Sequence, residues 1–541
     1  MQNNLNADVV IIGGGVSGAI LAWSLASSGA KVIVLEAGEA IDREKAVDLY
    51  QNTPGRNIDT PYPQTKYAPM PYLSEPGQYF VNAGPDTFGS TYVRALGGTT
   101  WHWLGTAVRL LPNDFKMKST YGVGVDWPIS YNDLEPYYAQ AETQLGVSGN
   151  SEYDLGAPRN NNYPMPPLAM TYMDSLLQPK LAPLGLEVRA TPQARNSQQY
   201  QGRKSCCGNA SCIPICPIQA KYDATVHVQL AQQAGAQFIT SAVATFVQAD
   251  PDGNIIGINY KTPDNANNNI TGKIFVLAAH TIETAKLLLM STDNQYPNGI
   301  ANSSGQVGRN LMDNLTLLAY ALYPENIYPY RSPISTSGIE NLRDGAWRSQ
   351  RSSFRIEIGN DGWSWPIGFP PAYAVYLIKQ KNLYGQELKN QIANDVPKQF
   401  RFAFLTESLP NPDNRIIPDP TNLDSFGIPR PKIFYKYDQY ALDGQNAGKE
   451  LAQQMFAALG ATEIGYQYNQ GAGHINGTCK MGTDPKTSVV DINQRTHDHK
   501  NLYIAGSSVF PTEGTGNPTL TIAAMTLRLA QQVQKELKNF Q

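Results

Sequence analysis

The rhythm of apolar and polar positions changes along this chain, and the changes mark its elements. Residues 9–12 form an unbroken apolar run, the pattern of a strand buried on both faces of a parallel sheet. The glycine-rich stretch 13–18 follows. An apolar-periodic helix then ends at Gly29, and a second strand runs over 31–35. From about 50 to 90 the periodicity disappears. DTPYPQTKYAPMPYLSEPG is dense in Pro and Tyr and predicts one long ordered loop, with a second Pro-rich loop near 156–168. ADPDGNIIGINY and GKIFVLAAHTIETAKLLLMS predict a hairpin, a buried strand and a helix. Residues 320–465 alternate strand-like and loop-like pieces around Trp347, Trp363 and Trp365, and predict a separate lobe. Residues 502–505 predict a last buried strand. Asn517 suits an N-cap and Pro518 the first helical position of an amphipathic helix running to about Asn539.

A chain of 541 residues can bury more than one core. Its net charge of −3 is spread without long like-charge runs, which argues against nucleic acid or an anionic membrane as partner. No apolar run is long enough to span a bilayer. The opening MQNNLNADVVIIGGG has no basic n-region and no apolar h-region, so it is read as lacking an export signal of its own.

Gly13, Gly15 and Gly18 fit G-x-G-x-x-G between strand and helix. Gly13 permits the tight turn, Gly15 lets backbone approach a pyrophosphate, and Gly18 lets helix pack close to strand. The helix start at Val16 and Ser17 offers free N–H groups to phosphates. Glu36, with Ala37 after it, ends the second strand where an acid can accept from a ribose diol. The motif does not separate NAD from FAD, although its N-terminal position in a long chain leans towards FAD.

Four of five cysteines stand within 206–216, in CCGNASCIPICP. That is not the dispersed framework of a disulfide-stapled fold, but disulfides, zinc and an iron–sulfur cluster all stay open. Zinc commonly wants paired C-x2-C knuckles, which are absent. The x3-Cys-Pro ending is shared with ferredoxin runs. Neighbouring side chains diverge, so Cys206 and Cys207 do not easily serve one metal. Three ligands are expected: Cys212, Cys216 and one of the leading pair, with Cys206 favoured over Cys207.

GGTTWHW, FVLAAHTIETAKLLLMS, SSGQVGRNLMDN, GHINGTCKMG and GSSVFPTEGTGNPTLTIAA, in this order after the dinucleotide motif, make nearly the whole chain similar to the glucose–methanol–choline (GMC) family of FAD oxidoreductases. GGTTWHW, LPNDFKMKSTYGVG, PQARNS, CCGNASCIPICPIQAKY and GIPRPKI further resemble the catalytic subunits of bacterial membrane-associated sugar dehydrogenases, of the glucose, fructose, sorbitol and gluconate kind.

The resemblance implies an α/β fold. An FAD-binding Rossmann-like domain (1–50, 85–110, 200–320 and 470–541) would carry a substrate lobe built on an antiparallel sheet (111–199 and 321–469). It implies His474 as catalytic base and Asn517 as the partner hydrogen-bonding the substrate hydroxyl. A histidine's ordinary pKa suits proton removal near neutrality. It also places Arg94, Gly97, Gly98, Thr99, Trp101, His102, Trp103, Val243, Ala279, Gly506, Pro518 and Thr519 among cofactor-binding positions. In some relatives the histidine at position 102 is tethered to the flavin. A tether, and an untethered ring between Trp101 and Trp103, both stay open. His497 and His499 are expected on a surface turn, and His227 and His280 in structural settings.

The implied cofactors are FAD and a [3Fe–4S] cluster. The implied partners are a small helper subunit for export and a multihaem cytochrome c subunit, on the periplasmic side of the bacterial inner membrane. The alternative is a GMC alcohol oxidase using O2, with the cysteines structural. Two departures concern the substrate pocket. Ala472 and Gly473 stand where two asparagines often precede the histidine, and the family's Met-Asp-His is Met312-Asp313-Asn314.

Overall fold

The apolar run near the N-terminus becomes the centre of a seven-stranded sheet. A computed structural model describes residues 5–540. The strand Leu5–Ile12 pairs in parallel with Val32–Leu35 on one side and Asn267–Leu277 on the other. Gln237–Ile239 extends the first side in parallel. The long strand Asn267–Leu277 is shared along its free edge. Its first residues pair with the hairpin strand Ile255–Lys261, itself joined to Val243–Ala249. Its last three pair in parallel with Leu502–Ile504.

Side-chain parity explains why residues 9–12 show no alternation. Val10 and Ile12 enter one core, while Val9 and Ile11 enter a second core with Leu21, Leu25, Leu529 and Val533. Those partners come from the helices Val16–Ser27 and Thr519–Leu537, which pack on each other. Each large aliphatic side chain so buried contributes about 1.5–3 kcal/mol.

The final helix begins one residue later than its sequence predicts. Pro518 is the cap, in αR backbone geometry (φ −75, ψ −17), and no side chain caps the helix. Asn517 points its amide elsewhere, at His474. The helix ends at Leu537, followed by a short 3-10 turn Lys538–Phe540.

A second, six-stranded sheet runs Thr462–Gly471, Leu315–Leu322, Gln399–Thr406, Phe354–Gly359, Ser337–Ile339 and Val188–Ala190 in spatial order, all antiparallel. One face carries Leu317, Ala319, Ile356, Ile358, Phe402 and Phe404 into a core covered by the helix Gln439–Leu459. The boundary expected at 320 falls inside the strand Leu315–Leu322. A five-stranded sheet, from Asn476–Thr478 through Arg309–Met312, Arg415–Leu423 and Pro429–Phe434 to Val81–Asn82, is a third layer. The long loop 50–90 is ordered, with the helix Arg43–Asn52 at its start and a 3-10 turn Pro76–Gln78. No helix of the described residues is long and apolar enough to cross a membrane.

Candidate active site

A cavity of about 400 Å³ lies between the seven-stranded sheet and the bare face of the six-stranded one. Its inner end is the dinucleotide motif: Gly13, Gly15, Val16, Ser17, Glu36 and Ala37 all line it. Gly13 has φ +102, which favours glycine. Gly18 does not line the cavity. A Cβ there would stand 1.8 Å from the Gly13 carbonyl oxygen, so its glycine lets the helix close on the strand. Glu36 accepts from the Gly14 and Gly38 amides, both at 2.8 Å, and burial pushes its carboxyl up. The helix after Gly15 has no side-chain cap, which leaves first-turn N–H groups for an anion. These features fit the diphosphate and ribose of a dinucleotide.

Arg94, Gly98, Thr99, His102, Trp103, Val243, Ala279, Gly506, Asn517, Pro518 and Thr519 also line the cavity. Gly97 and Trp101 sit behind it. The Trp101 indole donates to the Leu96 carbonyl and lies under the Arg43 guanidinium. His102 does not stack between Trp101 and Trp103. Its ring partner is Tyr62, edge-on at 6.0 Å, because the Trp103 indole is pinned to the Tyr222 carbonyl. His102 Nδ1 is buried with no partner among the described residues, and burial lowers its pKa to about 4.

Residues not anticipated from the sequence line the same wall. His280, expected to be structural, stacks on Tyr92 at 4.0 Å and faces the cavity. Glu283 and Lys286, one turn along the same helix, pair at 2.8 Å beside Tyr79 and Tyr92. Their signal was the amphipathic helix itself, whose polar side faces the cavity rather than solvent. His227 is a core residue, bonded to the Tyr222 hydroxyl at 2.7 Å. His499, expected on the surface, is 1% exposed and holds the Gly253 carbonyl and the Ala301 amide. His497 is half-buried against Ser488.

At the outer end, His474 and Asn517 meet: Asn517 Nδ2 stands 2.9 Å from His474 Nε2. The other ring nitrogen, Nδ1, is 2.8 Å from Asn314 Oδ1. The Asn314 amide nitrogen is committed as donor to the Thr406 carbonyl (3.0 Å), Glu513 Oε1 (3.1 Å) and the Gly514 carbonyl (3.1 Å). Its oxygen therefore accepts, so His474 Nδ1 carries the proton and Nε2 the lone pair. The backbone N–H of His474 donates to Asp313 at 2.8 Å. Burial and the Arg355 charge hold the His474 pKa down to about 3. The ring is thus neutral near pH 7, with its acceptor nitrogen turned to the cavity.

The cysteines form a small neighbouring pocket. Cys206, Cys207, Cys212 and Cys216 line it with Arg195 and Lys221. Cys212 is buried, Cys206 and Cys216 are half-buried and Cys207 is exposed. Burial pushes the Cys206 thiol up. Among the described residues no three His, Cys, Asp or Glu side chains are gathered as a metal-holding group. Lys221, 1% exposed, ties this pocket to the cavity: its ammonium donates to the Trp101, Trp103 and Cys212 carbonyls. Ile213, next to Cys212, lines the main cavity. Cys479 is a buried lone thiol, pushed up to about 12 by burial.

Residues 180–316 and 410–526 match the two parts of the GMC oxidoreductase family model, and residues 8–46 match that of the FAD dependent oxidoreductases. The fructose dehydrogenase large subunit of Gluconobacter japonicus is 38% identical over 99% of this chain and 99% of its own. The chain belongs to the GMC oxidoreductase family. Like other GMC oxidoreductases, it is an FAD-dependent enzyme acting on CH–OH donors. Two more distant relatives cover 98% of the chain. Paromamine 6'-oxidase of Streptomyces fradiae is 29% identical and spans 92% of its own length; the gluconate 2-dehydrogenase flavoprotein of Pantoea cypripedii is 23% identical and spans 94%. The GMC fold is shared with a formate oxidase of Aspergillus oryzae (TM-score 0.68, 14% identity, all of both chains) and with pyridoxine 4-oxidase of Mesorbium loti (0.64, 16%, 98% and 99%).

Proposed function

We propose that this protein is a dehydrogenase of a sugar, polyol or sugar acid in which His474 Nε2 takes the proton of the substrate hydroxyl. The observation that carries this reading is the polarised histidine: Nδ1–H is held by Asn314, and Nε2 accepts from the Asn517 amide at the cavity wall, the position a substrate hydroxyl would take. Bound FAD supplies the acceptor for the hydride leaving the same carbon. Asn517 positions the hydroxyl. Its Nδ2 already faces Nε2, and its Oδ1 is buried without a partner among the described residues, so one amide can both donate to the substrate oxygen and accept from a neighbouring hydroxyl. The Gly13–Gly18 turn, Glu36 and the Thr519 helix start hold the cofactor, with segments 1–50, 85–110, 200–320 and 470–541 assigned to it and 111–199 with 321–469 to substrate.

The cysteine pocket is assigned to a [3Fe–4S] cluster on Cys206, Cys212 and Cys216. Support comes from the four cysteines sharing one pocket, from the exposure of Cys207, and from the 38% identity to a subunit of a dehydrogenase. Such a cluster would supply one-electron transfer towards a multihaem cytochrome c subunit, with a small helper subunit and a periplasmic, membrane-associated setting. A flavin tether at His102 is supported by its orphaned ring nitrogen at the cavity wall.

Anaerobic bleaching of the flavin by D-fructose or a polyol tests the central step. His474→Ala should slow it by about 10²–10⁴-fold, the usual worth of a positioned base. Bleaching at the wild-type rate would show that His474 is not the base.

A further inference from the structure

The face of the six-stranded sheet that looks into the cavity is an array fixed by register. Three cross-strand rows run over it: Thr316–Leu405–Arg355, Leu318–Ala403–Glu357 and Tyr320–Arg401–Gly359. Alternate residues of the same strands fill the apolar core on the other face, while this side interleaves Thr316, Arg355, Glu357 and Arg401 with the apolar Leu318, Ala403 and Leu405.

Its members are held. Arg401 is bound by Asp361 through two bonds, 2.9 and 3.1 Å, and reaches Glu357 Oε1 at 3.3 Å. Gly359 makes this possible: a Cβ there would stand 2.6 Å from the Arg401 side chain, which lies flat across the strand. Gly465 clears Tyr320 in the same way, a Cβ falling 2.2 Å from its ring. Glu357 Oε1 also accepts from Ser335 at 2.9 Å, while Oε2 meets, among the described residues, only the Arg355 guanidinium, at 3.7 Å, beyond hydrogen-bond reach. Thr316 is 5% exposed and lines the cavity, and its hydroxyl has no partner among the described residues. Trp365, packed on Leu318, Ala403 and Leu405, gives the same wall an aromatic surface. Thr316 is two residues from Asn314, which holds the base.

From this array we infer a recognition subsite for a neutral polyhydroxylated substrate. The Glu357 carboxylate and the Thr316 hydroxyl bind hydroxyls that do not react, and Trp365 with Leu318 receives a C–H face. Uncharged substrate follows from the charges. Of the charged side chains lining the cavity, Glu36, Arg94, Glu283 and Lys286 belong to the seven-stranded sheet and the segments packed on it, and Glu357 and Arg401 to this one. Arg401 is already neutralised by Asp361 and Glu357, and Arg355, which does not line the cavity, is paired with Glu340 at 2.6 Å, so among the described residues this wall offers a sugar acid's carboxylate no unpaired cation. The inference rests on the dehydrogenase reading but is separable from it.

Titration calorimetry on the dithionite-reduced, flavin-loaded enzyme reads binding without turnover, with D-fructose, D-sorbitol and D-gluconate as probes. A neutral probe should bind, and gluconate should bind at least about tenfold more weakly, the worth of one unpaired charge–dipole contact. Thr316→Val and Glu357→Gln should each raise the neutral probe's Kd about tenfold, with flavin retention and thermal unfolding reporting intact folding. Unchanged Kd in folded Thr316→Val, or tighter binding of gluconate than of both neutral probes, overturns the subsite. Binding of a neutral probe that never bleaches the oxidised flavin keeps the subsite and overturns the dehydrogenase reading instead.

Discussion

Asn314→Leu removes the acceptor on His474 Nδ1 while keeping the branched heavy-atom outline of the side chain. Asn314 is 1% exposed, so water does not replace it. The 2.8 Å bond it loses is the one that fixes both the ring orientation and the tautomer. A buried orienting hydrogen bond is worth about 1.4–2.7 kcal/mol, so flavin bleaching at saturating sugar should slow by about 10- to 100-fold. The orphaned Glu513, Thr406 and Gly514 groups lower stability by about 1–3 kcal/mol each, which thermal unfolding reads separately. Anaerobic stopped-flow bleaching measures the rate. The same assay across pH supplies the sharper readout. With its pKa held at about 3, wild-type His474 is neutral from about pH 5 to 8 and should add no acid limb there; a limb near pH 6 would belong to Asp313, whose carboxyl burial raises to about 6. Asn314→Asp keeps an acceptor but brings negative charge to the ring, which favours imidazolium and should move the acid limb to higher pH. A leucine variant within about twofold of wild type, or an acid limb that Asn314→Asp leaves unmoved, would refute the orienting role.

Gly18→Ala should give a chain that retains no flavin, because its methyl would stand 1.8 Å from the Gly13 carbonyl oxygen; a full flavin-to-protein ratio would contradict the close-packing argument. His227 is depressed to about 3 by burial, below its ordinary 6.5. Its contribution to stability is therefore whole above pH 6.5 and is lost as pH falls, at about 1.4 kcal/mol per unit, so wild type should lose about 2 kcal/mol more than His227→Gln between pH 7 and pH 5 in urea unfolding. Equal losses would mean that the ring is not buried neutral. Cys212→Ser should abolish iron and acid-labile sulfide while Cys207→Ser keeps both; the reverse pattern would reassign the ligands.

The parts of the fold that were legible in the sequence are those set by short-range pattern. The 9–12 run, the glycine turn and the strand–helix pair around His280 all lie where their periodicity predicts. His474 and Asn517 were found through motifs, and the structure brings them to 2.9 Å. What stayed hidden depends on distant partners. Thr316, Glu357 and Arg401 read as ordinary strand residues until register sets them side by side. His499 was expected on a surface turn, and Glu283 drew no expectation at all, because nothing local says which side of a helix or loop another segment will cover. The Asn517 cap failed for the same reason: its side chain had a better partner forty-three positions back.

The strand Leu502–Ile504 and the residues Gly506 and Asn517–Thr519 complete a cavity whose other wall begins at Gly13. Flavin capture is therefore a readout of chain length. A product of premature termination lacks the last strand, the helix start and half of the base pair of side chains, and should emerge colourless rather than partly active. The yellow of the loaded protein certifies that the glycine turn and the Leu502–Thr519 segment have both been made and have found each other.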